Sequence, residues 1–428
     1  MKATKGEGRV ATPRKTKTAL PPKRDASRRF GYSCAMTAAA ELTDLRRGNT
    51  RALIAAICCA GVCGIVFGLS MPLISLRLEY MTGSGVLVGL NGAAAALSTL
   101  VMAPLVPRLM TLAPPRYMLI GNLVVAAALF ALFPAFPVVA IWFALRFLSG
   151  CNITVVFVIS ESWINQVVTP ARRAFMLGVY GTALAGGFGI GGLLFSVLDP
   201  TGDLPFYVAS AIFLLGTLPV ALLRGPQAVA PDRDGSSLKA MLGAARSAPA
   251  AILAGLAFGA LETLLFSLLP VYGERIELTH ATIGMMVFAV AMGALSFQIP
   301  LGWIADRTDR RATLFWIAVT TTFVPVGIGL AGGFTPALLP LLFIQAGVAS
   351  GLYSVGLSLL GERFAGGAVA AANAGFIFAY GLGSFAGPPV AGSAMDTIGP
   401  WGLLWTLSAV SAAYVLVFGF RRLTAQSD

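Results

Sequence analysis

The sequence predicts an all-α polytopic membrane protein of twelve transmembrane helices, arranged as two pseudo-symmetric six-helix bundles. Three observations predict it. Only 11% of the 428 residues are charged while 57% are hydrophobic, whereas a water-soluble fold carries about 25% charged residues. Apolar runs of 20 or more residues recur from Ala52 to Phe420, each long enough to cross a ~30 Å hydrocarbon core as a helix. One long polar stretch, Gly225 to Pro249, splits those runs into two sets of six. Soluble enzymes, nucleic-acid-binding modules, disulfide scaffolds and disordered proteins are excluded by the same composition.

In chain order, residues 1–50 come first as a basic tail. They hold 12 Lys and Arg against 4 Asp and Glu, so +8 of the net charge of +12 sits there. Lys2 to Arg29 is rich in Pro, Thr and basic residues and poor in large apolar groups, a composition that cannot build a core and predicts disorder. An anionic lipid surface suits it better than nucleic acid. Ser27-Arg28-Arg29-Phe30 has the letters of a twin-arginine signal, but no apolar stretch follows before Glu41 and Asp44, which argues against that reading. The tail also has the composition of an organelle transit peptide, and Met36 is an alternative start of translation.

Charges, Pro and Gly delimit the spans at 52–76, 85–106, 117–135, 137–164, 172–197, 204–223, 250–272, 281–304, 312–331, 335–360, 368–392 and 398–420. Pro226, Pro231, Asp232, Arg233, Asp234, Gly235 and Ser236 mark a linker over 225–246. It separates a half at 51–224 from a half at 247–422, with a short tail at 423–428. The near-equal lengths make the halves an internal repeat. Cys58, Cys59, Cys63 and Cys151 fall inside apolar spans and Cys34 in the tail, so they read as small packing residues and not as a disulfide framework.

Lys and Arg near span ends accumulate on the cytoplasmic side. With the N-terminus cytoplasmic, all of the 30 Lys and Arg fall on that side except Arg77, Arg275 and Arg146. Arg77 and Arg275 then lie outside, and Arg146 lies within the fourth span. An odd number of spans would carry Arg421 and Arg422 outside, so the count is even. The expected location is a bacterial inner membrane with both termini cytoplasmic.

Helices in lipid associate by close backbone contact between small residues four apart. Gly64 and Gly68, Gly85 and Gly89, Gly187 and Gly191, Gly255 and Gly259, Gly347 and Gly351, and Gly383 and Gly387 have that spacing. Pro388 follows the last pair. Together they predict many helix-on-helix contacts within one chain, consistent with a monomer.

Between the eighth and ninth spans runs Gly302-Trp303-Ile304-Ala305-Asp306-Arg307-Thr308-Asp309-Arg310-Arg311. Gly302 would permit close approach near a helix end, while Asp306, Arg307, Arg310 and Arg311 place opposite charges at the interface. A topogenic basic loop would explain the arginines but not Asp306, Asp309 or the glycine. The segment resembles the loop motif G-x-x-x-D-R-x-G-R-R of the major facilitator superfamily, with Asp309 at the second glycine position. The resemblance covers residues 51–422 and implies two bundles rocking about a central site. The first-half copy, Ala103-Pro104-Leu105-Val106-Pro107-Arg108-Leu109, carries Pro107 at the acid position. Gly383-x-x-x-Gly387-Pro388 resembles the glycine-proline motif of the family's antiporters, which they carry in the fifth helix. Here the fifth span has Gly187-x-x-x-Gly191-Gly192 without proline, so export is implied only weakly. Arg146-Phe-x-x-Gly150 resembles the family's intramembrane arginine motif without its glutamine. Glu161-Ser162-Trp163-Ile164-Asn165, followed by Arg172 and Arg173, is similar to a subgroup of uncharacterised bacterial members.

Charge inside a membrane costs at least ~2.5 kcal/mol on insertion scales and marks functional residues. Arg146 lies about 14 Å along its span and Glu262 about 18 Å along its own, at 1.5 Å per residue. Both are therefore placed near the midplane, where transporters of this architecture bind substrate and ions. Glu262 reads as a proton carrier, or alternatively as a fixed salt bridge or a carboxyl bonded to backbone. Arg146 reads as site electrostatics or as a structural pairing. Glu161 and Glu362, with Asp306, Arg307, Arg310, Arg172 and Arg173, read as a cytoplasmic gate network or as a solvated rim. Asn91, Asn152, Gln298, Gln345, Tyr353, Asn373 and Tyr380 are candidate cavity residues, with helix-helix hydrogen bonding as the alternative. So few charges predict an apolar and aromatic cavity, hence a small apolar or amphipathic substrate.

His280 is the only histidine and lies in an expected outer loop, so no histidine cluster for a metal exists. No P-loop, H-E-x-x-H or G-x-S-x-G is present, so no cofactor and no enzymatic chemistry are expected. The energy source is then a gradient. The reading is a secondary transporter working by alternating access, with proton-coupled export leading and facilitated or proton-coupled uptake behind it. A non-transporting membrane sensor is the remote alternative. Expected partners are the substrate, protons and membrane lipids, with no nucleic acid.

Overall fold

The computed structural model describes residues 26–168, 170–222, 247–364 and 367–425, excluding the side chains of 26–49, 107, 165, 170–175, 361–363, 367–371 and 419–425. Met1–Arg47 forms one unit and Gly48–Asp428 another. The latter holds the two six-helix bundles.

The helices are α1 (Ala26–Thr82), α2 (Gly85–Met102), the short α3 (Val106–Leu109), α4 (Pro115–Ala135), α5 (Val139–Val167), α6 (Pro170–Val197) and α7 (Leu204–Leu222) in the first half. The second half has α8 (Pro249–Ser267), α9 (Leu269–Arg275), α10 (His280–Ala305), α11 (Arg310–Ala331), α12 (Thr335–Arg363), α13 (Gly367–Ile398) and α14 (Trp401–Ala425). Within α1 the apolar span is Thr50–Thr82. Helix α1 begins at Ala26, upstream of the expected boundary near residue 50. The stretch expected to be disordered thus divides, with residues 1–25 outside the described residues.

The departures from the expected spans follow backbone chemistry. The seventh span, expected as one helix over 250–272, breaks at Leu268 into α8 and α9. Pro270 supplies no N–H and its ring clashes with the carbonyl of the preceding turn. Likewise α2 stops at Met102, short of the expected residue 106, because Pro104 and Pro107 follow. Helix starts carry side-chain caps: the Ser84 hydroxyl accepts from Leu87 N–H, and Thr279 accepts from Thr282 N–H. Gly332 at φ 52° ends α11, a conformation costly for residues with a Cβ. His280, expected in a loop, is the first residue of α10.

Backbone-to-backbone contact builds each half. Gly64 and Gly68 of α1 meet α6 at Leu184, Gly187 and Phe188, and Gly187 and Gly191 return the contact. In the second half Gly255 and Gly259 of α8 meet α13 at Phe376 and Tyr380, and Gly383 and Gly387 return it against Leu256 and Ala260. The two seams occupy equivalent positions in the two bundles. Gly302 departs from expectation, because a Cβ there would meet open space. It is therefore no close-approach glycine.

The halves join along two seams, α2 with α13 and α6 with α10. Contact on the second seam is made near the start of α10, where Gly284 abuts Ser196 and Gly192. That end, where α2 and α10 begin and α13 stops, is called the far side; the span of α1 starts and α14 ends on the terminal side.

Candidate functional site

Three residues one turn apart, Phe258, Glu262 and Phe266, share one face of α8. Glu262 Oε2 accepts a 2.6 Å hydrogen bond from the Tyr380 hydroxyl of α13. The seam brings the partner in: the Gly259 carbonyl accepts from Ser384 Oγ, and the Tyr380 carbonyl lies against Gly259. Aromatic rings surround the carboxylate. Phe258 lies 5.4 Å from Tyr353 and 5.9 Å from Tyr380, ring centre to ring centre, and Tyr353 lies 5.3 Å from Phe376. Tyr353 is 36% exposed, so the cluster has an open wall.

Across the seam, Glu161 of α5 is exposed. Glu161 thus stands on the first half and Glu262 on the second. Neither has a basic partner among the described residues. The alternative of Glu262 as one end of a fixed salt bridge is not what the geometry contains. Toward the far side Phe188 of α6 stacks 4.7 Å from Phe266, continuing to Phe67 at 5.5 Å and from there to Phe157 at 5.9 Å.

Arg146 is only 6% exposed, and its Nε has no hydrogen-bond partner. Helix α5 packs on α2 in a register fixed by Gly150 against Ala95 and by Thr154 Oγ1 bonded to Thr99 Oγ1 at 3.1 Å. One turn back, the same register sets Arg146 level with Asn91, whose Nδ2 is also buried and unpaired. The structural pairing foreseen for Arg146 is therefore absent at Nε.

The other expected cavity residues scatter. Gln345 is fully buried between α12 and α11, with Nε2 3.5 Å from the Thr321 carbonyl and Oε1 without a hydrogen-bond partner. Asn152 donates to the Leu148 carbonyl one turn back on its own helix. Gln298 is exposed next to Ile299, which is 83% exposed, while Asn373 is half-buried.

The loop between α10 and α11 is stapled within the second half. Arg310 pairs with Asp306 at 3.0 Å and donates to the Ser358 carbonyl of α12. Arg307 lies 4.1 Å above the Trp303 ring, and Arg311 is exposed. Asp309 does not form the family's glycine turn; it caps α11 by accepting from the Arg311 and Ala312 N–H groups. Glu161 makes no ion pair with this loop. The side chains of Glu362, Arg172 and Arg173 lie outside the described residues.

The polar bonds joining described residues of the two halves lie at the far side. Arg275 pairs with Glu79 of α1 and with Asp396 of α13, both at 2.8 Å. Asp396 in turn accepts from the Gly85 and Val86 N–H groups and the Ser84 hydroxyl, and Tyr80 bonds His280 at 3.2 Å. Asp396 lies beyond the expected end of its span. Burial opposes its ionisation, but the Arg275 guanidinium, the Val86 and Gly85 N–H groups and Ser84 outweigh it and hold the carboxyl below the usual carboxylate range. Sequence reasoning missed this latch, although Arg275 stood out as one of two arginines on the unexpected side. The other, Arg77, pairs with Asp203 within the first half.

This architecture has known counterparts. The Major Facilitator Superfamily profile matches residues 53–292 and 252–427. The chain is 27% identical over 365 residues to "Uncharacterized MFS-type transporter YfkF" of Bacillus subtilis (strain 168), an alignment covering 83% of this chain and 92% of that protein. Among solved structures, a mutant of the nucleoside transporter NupG superposes with a TM-score of 0.71 at 13% identity, covering 86% of this chain and 98% of that one. A bacterial homologue of the human lysosomal transporter Spinster, inward-facing and unoccupied, gives 0.66 at 13% identity over 86% and 95%. With twelve long helices among the described residues, in two pseudo-symmetric bundles, and a profile match spanning both, the chain belongs to the Major Facilitator Superfamily of membrane transporters.

Proposed function

We propose that this transporter is a proton-coupled exporter of a small apolar or amphipathic solute, with Glu262 as the proton-carrying group. The observation that carries the reading is the Glu262 carboxylate, set in a spanning helix, bonded to Tyr380 and without a basic partner among the described residues. A carboxyl so placed exchanges a proton in response to local hydration and the approach of another charge. Arg146, unpaired at Nε in the facing half, is the fixed charge against which that proton is set. Export is favoured by the far-side latch: with that end joined, the site loads from the side of the termini, which the Lys and Arg distribution assigns to the cytoplasm of a bacterial inner membrane. In this scheme the chain works as a monomer, and Asp306, Arg307, Arg310 and Arg311 with Glu161, Glu362, Arg172 and Arg173 form the gate on the terminal side.

The test is solute and proton flux in proteoliposomes of the full chain, with and without an imposed pH gradient. Wild type should show gradient-dependent flux, and Glu262→Gln should move solute without proton coupling or not at all. Full coupling in Glu262→Gln would sink the proton role.

A further inference from the structure

The rings around Glu262 belong to three different helices, Phe258 on α8, Tyr353 on α12, and Phe376 and Tyr380 on α13. Adjacent ring centres stand 5.3 to 6.2 Å apart, and aromatic faces attract a cation within about 6 Å of a ring centre. One acid lies within this cluster: Glu262, which accepts from the Tyr380 hydroxyl at 2.6 Å. Among the described residues no Lys or Arg pairs with Glu262. An acid in a spanning bundle without a counter-charge is costly unless it is protonated or the missing charge arrives with a ligand.

One turn farther along the same face of α8 the surroundings change. Phe266, Phe188, Phe67 and Phe157 form a continuous row crossing from one half to the other, with no charged group among them. The ring cluster around Glu262 is thus negative and aromatic, and the row adjoining it is apolar.

From this juxtaposition we infer that the substrate is an amphipathic organic cation, its charged centre held by Glu262 and the Phe258, Tyr353 and Tyr380 rings and its apolar body against Phe266 and Phe188. The inference deepens the proposed export function and rests on it for the direction of movement, but not for binding. Tyr353, as the exposed ring of the cluster, is the specificity-determining residue. Removing its ring removes the cation's aromatic contact, while removing only its hydroxyl does not. The site discriminates by sign: an anion of the same size and shape meets the Glu262 carboxylate and is rejected.

The experiment is equilibrium binding to the purified full chain in detergent, without any gradient, using tetraphenylphosphonium as the probe, tetraphenylborate as the isosteric anion, and empty micelles as the blank. Saturable tetraphenylphosphonium binding is expected, weakened at least tenfold in Tyr353→Ala and in Glu262→Gln, and within about threefold of wild type in Tyr353→Phe. Tetraphenylborate should not bind above the blank. Size-exclusion profiles establish that each variant is folded, and Tyr353→Phe against Tyr353→Ala keeps the test decisive if Glu262→Gln does not fold. Equal binding of the two ions, or unchanged affinity in Tyr353→Ala, would overturn the inference. Sign-selective binding with no proton-driven flux would remove the export reading and leave the cation site standing. Proton-driven flux of neutral solutes without tetraphenylphosphonium binding would do the reverse.

Discussion

Asp396 caps a helix of the opposite half: its carboxylate accepts a 2.7 Å hydrogen bond from the Gly85 N–H at the first turn of α2. A helix start presents unpaired N–H groups and partial positive charge, and here the anion that satisfies them comes from α13 across the seam. Arg275 holds the same carboxylate from the other side while reaching Glu79 on α1. Opening the far side therefore breaks several charge-assisted bonds together.

Asp396→Ala should shift the protein toward far-side-open states. Hydrogen bonds to charged groups contribute about 1.5–3 kcal/mol each, so the population should change by roughly tenfold or more. The check is maleimide labelling of Val86→Cys from the far side, in a background without the native cysteines. Equal labelling rates with and without Asp396 would show that the latch does not limit opening.

The latch should also respond to acid, in one direction only. Because the Asp396 carboxyl is held below its usual range, its contribution is complete above the unfolded-state value of about 3.9. It is lost as pH falls through the lower folded value. Far-side labelling at Val86→Cys should stay level from pH 8 to 5 and rise only below about pH 4. A rise already between pH 8 and 5 would assign the sensitivity to another group.

Gly64→Val should destabilise the first half. Its Cβ would strike the Leu184 carbonyl of α6, and overpacking a tight contact costs about 1–3 kcal/mol. Thermal unfolding followed by fluorescence-detected size exclusion should show a lower midpoint. Gly121→Ala, where a Cβ meets nothing within 4 Å, should leave the midpoint unchanged.

Asp309→Ala should cost about 1 kcal/mol, the usual loss on removing an N-cap, because Arg311 and Ala312 lose their acceptor. Asp309→Asn should recover most of that loss. If Asp309→Gly, which restores the family's letter, proved more stable than wild type, capping would not be the reason for aspartate here.

Much of the fold was legible in the sequence because lipid imposes a simple rule: each backbone polar group is satisfied inside its own helix, and each span has a minimum length. The four-residue glycine pairs signalled close helix contacts for the same reason, but which helices meet, α1 with α6 and α8 with α13, came only from the structure. Gly302 misled because its motif letters imply a contact that this loop does not make. At the site, Glu262, Tyr353 and Tyr380 could be named from polarity, yet their mutual contact required knowing the register between α8 and α13. Phe258 and Phe266 carried no signal beyond apolarity, which every span shares. Asp396 was missed for a different reason: it lies past the expected end of its span, and of its partners the Gly85 and Val86 N–H groups have no letter while Arg275 and Ser84 are more than a hundred residues away in sequence.

Tyr380 meets α8 twice, through its carbonyl against Gly259 and through its hydroxyl on Glu262. Spacing between two helices and placement of a reactive hydrogen bond are therefore controlled by the same residue. A genetic screen for lost transport would recover Gly259 as readily as Glu262, and a map of such hits would draw a binding site wider than the one that touches the ligand. Conversely, suppressors of a Glu262 defect should be sought among the glycines of this seam, where an added methyl group would meet the backbone of the facing helix.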